Sequence, residues 1–173
     1  LVNYMSQAHI ANFPAQTAAG YVAFYWGGAM LGRFIGAAAL RRVETRTLLA
    51  FCALCSTALI TVSLLTTGYV AMWSMIAVGL FNSVMFPSIF ALGVAGLGPL
   101  TGTASGVLSM AIAGGAVVPV IQGALADSIG VQRSFFLPAI CYLYIIFYAL
   151  KGATPDSTRY VSDLKMGRGS VAQ

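Results

Sequence analysis

The stretch FYWGGAMLGRFIGAAALRRV, residues 24–43, places three glycines at intervals of four inside an apolar segment. Gly28, Gly32 and Gly36 fall on one face of a helix, because a helical turn takes about 3.6 residues. Helices in a bilayer gain nothing from the hydrophobic effect and associate through small residues at this spacing. The stretch therefore predicts a membrane helix whose glycine face contacts a second helix, in a contact that is static or that slides during function.

The same stretch carries one charge, Arg33, about two turns before Arg41 and Arg42. A charge facing hydrocarbon at mid-depth is costly, but a long arginine side chain near the end of a helix reaches the interface. Arg33 therefore has two interpretations. It snorkels or caps neighbouring carbonyls, or it forms a gate pair with an acidic residue outside this chain.

The composition indicates a membrane protein. Of the 173 residues, 59% are hydrophobic and 8% are charged, whereas soluble domains are about 25% charged. An apolar run of about 20 residues crosses a bilayer as a helix. The chain has five such runs, at roughly 17–40, 47–66, 68–97, 103–126 and 132–150. Residues 1–7 resemble the end of a sixth, so we expect an all-α transmembrane bundle that begins inside a helix.

The basic residues predict the orientation of the bundle, since short loops rich in Lys and Arg stay in the cytoplasm. Eight of the nine basic residues fall on one side of the predicted topology, and only Arg133 falls on the other. The eight are Arg33, Arg41, Arg42, Arg46, Lys151, Arg159, Lys165 and Arg168. The C-terminus is therefore predicted to be cytoplasmic, with residues 151–173 as a disordered tail. The net charge of +5 reflects this topology and does not indicate nucleic-acid binding.

Polar and helix-breaking residues interrupt the third run, residues 68–97. Pro87 cannot donate a hydrogen bond to the carbonyl of Ser83, which predicts a kink. Asn82 precedes the kink and shares a helical face with Phe86. An amide and an aromatic ring beside a kink near mid-membrane predict the lining of a cavity.

The fourth run repeats this arrangement within SGVLSMAIAGGAVVPVIQGALADSIG, residues 105–130. Pro119 follows the glycines Gly114 and Gly115, and Gln122 follows Pro119. An unpaired amide in hydrocarbon is costly, so Gln122 is expected to face protein or water.

The polar and aromatic groups suit a neutral, polyhydroxylated ligand. Asparagine and glutamine amides both donate and accept hydrogen bonds, as sugar hydroxyls do. Tyr25 and Trp26, beside the glycine face, add aromatic rings that could cover the C–H side of a sugar. These groups either line a cavity or only fill the structure, and their presence on three predicted spans favours the cavity.

Enzyme and metal motifs are weak in this sequence. The string GTASG, residues 102–106, fits no nucleophile motif, and no histidine lies in a predicted span to act as a base. Cys52 and Cys55 form a C-x-x-C spacing without a second pair, and His9 is the only histidine. We therefore expect no catalysis, no cofactor and no metal site.

Four strings together resemble one transporter group: LVNYMSQ, GYVAFYWGGAMLGRFIG, GLFNSVMFPSIFALG and SGVLSMAIAGGAVVPVIQGALAD. The resemblance is to the fucose–galactose–glucose:proton symporters of the major facilitator superfamily, and to the C-terminal half of their bacterial glucose/galactose members. It runs from Leu1 to about Leu150. It implies two six-helix bundles, alternating access in a bacterial inner membrane, and uptake of a hexose with a proton. The partners it implies are the N-terminal half and the lipid bilayer.

The resemblance also implies roles for individual residues. Those that would line the central cavity are Asn3, Tyr4, Tyr25, Trp26, Asn82, Phe86 and Gln122. Those assigned to helix packing or gating, from glycine spacing, prolines and a G-x-x-x-D-x-x-G pattern, are Gly28, Gly32, Arg33, Gly36, Pro87, Gly114, Gly115, Pro119 and Asp127. In this group the carboxylates that couple protons lie mainly in the N-terminal half.

Two other functions stay open at this point. The chain could belong to a major facilitator exporter of drugs or other solutes, or to a membrane scaffold that transports nothing. The two amides in apolar spans argue against an exporter with an apolar cavity. The kinked polar helices argue against a scaffold.

Overall fold

The computed structural model describes residues 1–152, and for residues 113–114 it describes the backbone alone. Every regular element in this part of the chain is helical. The α-helices are α1 (Val2–Met5), α2 (Ala15–Ala39), α3 (Thr45–Leu65), α4 (Gly68–Val94), α5 (Thr101–Gly114), α6 (Val117–Ile129), α7 (Val131–Ser134) and α8 (Phe136–Phe147). A 3-10 turn, Gly98–Leu100, precedes α5, and a π-helical turn, Tyr148–Gly152, follows α8. The predicted tail, 151–173, thus begins in this turn, and residues 153–173 lie outside the described part.

Four helical segments are long and apolar enough to cross a membrane: Thr45–Leu65, Gly68–Val94, Gly98–Ile129 and Val131–Gly152. They coincide with the last four runs of the sequence. The helix of the first run, α2, is not among the four, because its glycines and Arg33 make it less apolar. With 25 residues it is nevertheless long enough to span a bilayer, which takes about 20.

The glycine face of α2 lies against α4. A Cβ built at Gly36 would lie 2.5 Å from Val84 Cγ2, and one at Gly32 would overlap the carbonyl oxygen of Leu80. At Gly28 the contact is looser, 3.8 Å from the Leu80 backbone nitrogen. The two backbones therefore come so close at Gly32 that any side chain there would displace α4.

The hydrophobic core forms around α3 and α4, which pack together along their lengths. One buried cluster lies where these helices meet α1: Tyr4, Met5, Ile10, Ala18, Ile60, Ala71, Met72, Met75, Ile76 and Val78. A second lies near the opposite end: Leu49, Cys52, Ala53, Val84, Met85 and Ala149. Tyr142 of α8 packs against both clusters, while Ala139 packs against the first and Ile145 and Ile146 against the second, so α8 joins the core along one side.

The fourth run is divided into two helices. α5 ends at Gly114 and α6 begins at Val117. Two adjacent glycines favour a break because each costs helix stability, and Pro119 cannot donate to the carbonyl of Gly115. Between residues 98 and 129 most of the large apolar side chains of these helices stay exposed, including Val107, Met110 and Val120. The segment therefore lies at the edge of the bundle.

Both ends of α3 are hydrogen-bonded to the segment that contains α7 and α8. At the C-terminus of α3, Gln132 Nε2 donates to the carbonyls of Ser63 (2.7 Å) and Thr66 (2.9 Å). At its N-terminus, the Arg46 guanidinium donates to the carbonyls of residues 149 and 150, at 3.2 and 3.0 Å. Carbonyls at a helix C-terminus lack partners within the helix. The carbonyls at the end of α3 thus accept hydrogen bonds from Gln132. Those at the end of the last helical segment accept hydrogen bonds from Arg46 of α3.

Candidate functional site

A polar cluster forms where α2, α4 and α8 meet. Tyr142 Oη donates a hydrogen bond to Asn82 Oδ1 at 3.1 Å, and Asn82 Nδ2 donates to Tyr25 Oη at 3.4 Å. Asn82 is exposed, whereas both tyrosines are half-buried. The Asn82 cluster (Tyr25, Asn82 and Tyr142) therefore presents one amide on an accessible face, held by hydroxyls from two other helices.

Gly79 determines where Tyr25 lies. A Cβ at Gly79 would lie 2.7 Å from the Tyr25 carbonyl oxygen and 2.8 Å from its ring carbon Cδ2. Because glycine has no side chain, the Tyr25 ring approaches the α4 backbone closely. Asn82 follows Gly79 by three residues, about one helical turn, so it lies on the same face as the site where Tyr25 packs.

The Asn82 cluster consists of neutral groups. In residues 1–152 the acidic residues are Glu44, which precedes α3, and Asp127, near the end of α6, so neither lies on a helix of the cluster. After the two hydrogen bonds, the Asn82 amide keeps one N–H that is free to donate. The accessible face therefore suits a neutral hydroxyl better than an ion.

Two of the predicted aromatic residues lie beside this cluster. The ring of Trp26 is 5.7 Å from that of Tyr25, at 88° to it, and Trp26 is 65% exposed. Phe86 follows Asn82 by one turn on α4 and is 56% exposed. Both rings are accessible from outside the chain, as a ring that contacts a ligand must be.

Three other predicted cavity residues are placed elsewhere. Tyr4 is fully buried, and its hydroxyl lies 2.6 Å from Ser63 Oγ, so its polar atom is occupied inside the core. Asn3 is exposed on α1, and Gln122 is half-buried on α6. Within residues 1–152, no hydrogen bond joins either of them to the Asn82 cluster. Their roles stay predictions from the sequence.

The residues assigned to packing or gating have different environments. Arg33, Pro87, Pro119 and Asp127 are exposed, while Gly28, Gly32 and Gly36 meet α4 and Gly114 ends α5. Pro87 lies inside a continuous α4. The hydroxyls of the neighbouring serines donate to the carbonyls of Leu80 and Val84, so neither replaces the hydrogen bond that Pro87 denies to Ser83.

The comparisons with known proteins agree on one family of transporters. A glucose/galactose transporter of Brucella abortus biovar 1 (strain 9-941) is 52% identical over 88% of this chain and 37% of its own length. A putative glucose/galactose transporter of Helicobacter pylori (strain J99) is 46% identical over 86% of this chain and 38% of its own. The L-fucose-proton symporter of Escherichia coli (strain K12) is 31% identical over 85% of this chain and 34% of its own. No family model matches.

A solved structure extends the agreement from sequence to fold. FucP, a major facilitator superfamily transporter in the outward conformation, matches with a TM-score of 0.82 and 28% identity, over 88% of this chain and 37% of that chain. The chain has the major facilitator superfamily fold. It is homologous to these sugar transporters and spans little more than a third of their length. The resemblance and the all-α membrane fold that the sequence predicted are thereby confirmed.

Two residues of this major facilitator fold were not singled out by the sequence. Tyr142 completes the Asn82 cluster, and Gln132 binds the end of α3 and also pairs with His9, whose Nε2 lies 2.9 Å from Gln132 Oε1. Both belong to the fifth apolar run, for which the sequence predicts only a membrane span. A hydroxyl inside an apolar run indicates a partner within the protein, and that rule would have drawn attention to Tyr142.

Proposed function

We propose that the chain is the C-terminal part of a hexose–proton symporter and supplies part of its sugar site. The observation that carries the proposal is the Asn82 cluster, an accessible amide held between two hydroxyls. It lies in a chain that is 52% identical to a protein named glucose/galactose transporter. The sugar site of such a fold lies near mid-membrane, between two halves that alternate in access.

The chemistry of the cluster supports a sugar rather than an ion or an apolar drug. An amide and a phenol hydroxyl match ligand hydroxyls, which both donate and accept hydrogen bonds. The exposed ring of Trp26 lies beside that of Tyr25, and the exposed ring of Phe86 follows Asn82 by one turn of α4. A site for an apolar solute would gain nothing from an accessible amide, because burying it unpaired is unfavourable.

Proton coupling is assigned to groups outside this chain. The two acidic residues of the described part, Glu44 and Asp127, lie near helix ends and not on α2, α4 or α8. The matched part of this chain covers only 37% of the length of the Brucella abortus relative, so the remaining part of the transporter has room for a second bundle. We assign the transported proton to carboxylates there, and no covalent chemistry to this chain.

The proposed location is the inner membrane of a bacterium, with the C-terminus in the cytoplasm. Arg46, at the start of α3, bonds the carbonyls at the end of the last helical segment. That contact brings the basic loop containing Arg41 and Arg42 to the same end of the bundle as Lys151. A basic end of this kind is retained in the cytoplasm.

The experiment is uptake by the full-length transporter, purified and reconstituted in liposomes with an acidic exterior. Labelled glucose, galactose and fucose are supplied in turn, with and without a protonophore. We expect accumulation of one or more of these sugars that the protonophore abolishes. Uptake that ignores the protonophore would contradict symport, and export of apolar dyes without sugar uptake would indicate an exporter instead.

A further inference from the structure

Helix α3 and the segment of α7 and α8 are held together at both ends. Gln132 donates to two carbonyls at the C-terminus of α3, and Arg46, at its N-terminus, donates to two carbonyls at the end of the last helical segment. Sliding or tilting of one helix against the other would break these bonds and leave the carbonyls without donors. We call α3, α7 and α8 the frame, and expect it to move as one body.

Helix α6 (Val117–Ile129) has no comparable attachment to the rest of the described chain. None of its 13 residues is buried, and its side-chain hydrogen bond, from the Ser128 hydroxyl to the carbonyl of Leu125, stays within the helix. Large apolar side chains of α6, such as Val120, are exposed. Lipid tails are as apolar as these side chains, so α6 loses little when it moves away from the bundle.

Both ends of α6 can bend. Gly115 and Ala116 lie in a turn between α5 and α6, and Gly130, which follows α6, has a φ of +92° that favours glycine. Residues at the ends of helices absorb the backbone rotations of a hinge. Before the first of these points, α5 contacts α4, because a Cβ built at Gly93 would lie 3.0 Å from Leu108 Cδ1. α6 can therefore rotate while α5 and the frame stay in place.

Gln122 lies in the middle of α6 and is half-buried, as are Val118 and Leu125 on the same helical face. This face is therefore the one turned toward the bundle. An amide in hydrocarbon is costly unless it is hydrogen-bonded, and the Gln122 amide is not bonded to the Asn82 cluster. A hydroxylated ligand lying between them would supply a hydrogen bond to each, because a hydroxyl both donates and accepts.

We propose that α6 is a gate, which a hexose closes through Gln122. With a sugar at the Asn82 cluster, the Gln122 amide bonds one of its hydroxyls and holds α6 against the frame. Without the sugar, water takes the place of that hydroxyl, and α6 moves about Gly115 and Gly130. This inference rests on the proposed function and adds the part that moves and the contact that moves it.

Distances between spin labels test the gate in the full-length transporter, freed of its native cysteines. One pair of labels joins the frame to the gate, at Leu65→Cys of α3 and Val120→Cys of α6. The control pair lies within the frame, at Leu65→Cys and Tyr144→Cys of α8. All three side chains are more than half exposed, at 81%, 72% and 68%. We expect saturating hexose to shift the first distance by about 5 Å, close to the rise of one helical turn, and to leave the second unchanged.

Hexose binding is measured on the same labelled samples. Bound hexose with no shift in the first pair would overturn the inference and leave the proposed function intact, and so would equal shifts in both pairs. If the wild-type protein binds no hexose at all, the proposed function itself is wrong, and the inference is wrong with it.

The variant Gln122→Leu removes the contact that closes the gate. We expect hexose affinity to fall by about tenfold, and the hexose still bound at saturation to leave the distance between α3 and α6 unchanged. Ser128→Ala, in the same helix, is the control and should match wild type, because the Ser128 hydroxyl bonds only within α6. A wild-type shift in Gln122→Leu would contradict the role given to Gln122.

The variant Gly115→Ala stiffens the break between α5 and α6, since alanine favours a helix about fivefold over glycine. We expect transport to slow by about fivefold while equilibrium affinity for hexose stays the same. Gly106→Ala, inside α5, is the matched control, because nothing lies within 4 Å of the added Cβ. Equal transport rates in the two variants would exclude bending at Gly115.

Discussion

The amide of Asn82 is hydrogen-bonded to Tyr25 of α2 and to Tyr142 of α8, which lie 57 and 60 positions away from it in the chain. Hydrogen bonds between side chains of different helices hold an otherwise mobile side chain in place. The remaining N–H of the amide and the remaining lone pair of Oδ1 are available to a ligand. At the scale of the residue, the candidate site is thus a small number of neutral donors and acceptors placed by packing.

Asn82→Ala should weaken hexose binding by roughly tenfold to hundredfold, because a desolvated sugar hydroxyl would lose its partner, at a cost of about 1–3 kcal/mol. Equilibrium binding of labelled sugar to the full-length protein measures the effect. Ser74→Ala is the control, since the Ser74 hydroxyl bonds the carbonyl of Val70 within α4 itself. Unchanged affinity in Asn82→Ala, at wild-type expression, would exclude Asn82 from the sugar site.

Tyr4→Phe should leave hexose affinity unchanged and lower stability, contrary to the cavity role that the resemblance implied for Tyr4. The Tyr4 hydroxyl is bonded to Ser63 Oγ inside the core, and removing it leaves the Ser63 hydroxyl without that partner. We expect a loss of about 1 kcal/mol in the free energy of unfolding, seen as a lower melting temperature in detergent. Weaker sugar binding at unchanged stability would contradict this prediction and would indicate that Tyr4 lines the cavity, as the resemblance implies.

At the scale of elements, the contact between α2 and α4 depends on the absence of side chains. Gly32 is buried, and a Cβ there would meet the carbonyl oxygen of Leu80, a backbone atom that cannot rotate away. Close backbone approach replaces the hydrophobic effect as the source of association in lipid. The same contact also brings Tyr25 to Gly79, so packing and the site share one interface.

Gly32→Ala should therefore destabilise the protein although alanine is the better helix former. Overpacking of this kind costs about 1–3 kcal/mol, and the melting temperature in detergent would report it. The matched control is Gly27→Ala, in the same helix, where nothing lies within 4 Å of the added Cβ. That control should be neutral or stabilising by up to about 1 kcal/mol. Equal effects of the two substitutions would show that α2 does not approach α4 this closely.

The bond between Gln132 and the end of α3 supports a second element-scale prediction. Gln132→Leu removes the Nε2 donor from the carbonyls of Ser63 and Thr66, and leaves the Ser63 carbonyl with only the longer bond from the Tyr4 hydroxyl. We expect faster amide hydrogen exchange at the end of α3 and a loss of about 1–3 kcal/mol in stability. Gln16→Leu, at an exposed position of α2, is the control. Exchange that is identical in the two variants would contradict the role given to Gln132.

At the scale of the whole molecule, the chain carries many exposed apolar side chains on helices long enough to cross a membrane. It also covers only 37% of the Brucella abortus relative. A sugar site between two halves needs both halves to alternate in access. Under the proposed function, the 173-residue chain therefore supplies at most one wall of the site.

We expect this chain alone, reconstituted in liposomes, to accumulate no hexose when the exterior is acidic. The full-length transporter in the same lipids is the positive control, and empty liposomes are the negative one. Uptake above empty liposomes that a protonophore abolishes would contradict the prediction, and would mean that the chain contains a complete site and its own coupling group.

The positions and apolar character of the last four runs, and the glycine spacing of α2, could be predicted from the sequence. The bilayer imposes these features on each segment separately, through the length of hydrocarbon to be crossed and through backbone contact between helices. Asn82 was recognisable for the same reason, since an amide in an apolar run needs a partner or a ligand. Local rules were sufficient for each of these conclusions.

Only the tertiary structure decided which residues meet. The pairing of Tyr142 with Asn82, the burial of Tyr4 against Ser63 and the binding of Gln132 to the end of α3 join residues 59 to 69 positions apart. Such contacts depend on the rotation of each helix about its axis and on which neighbour it packs against. Helical periodicity relates residues only within one helix, so it leaves those rotations undetermined until the helices are packed together.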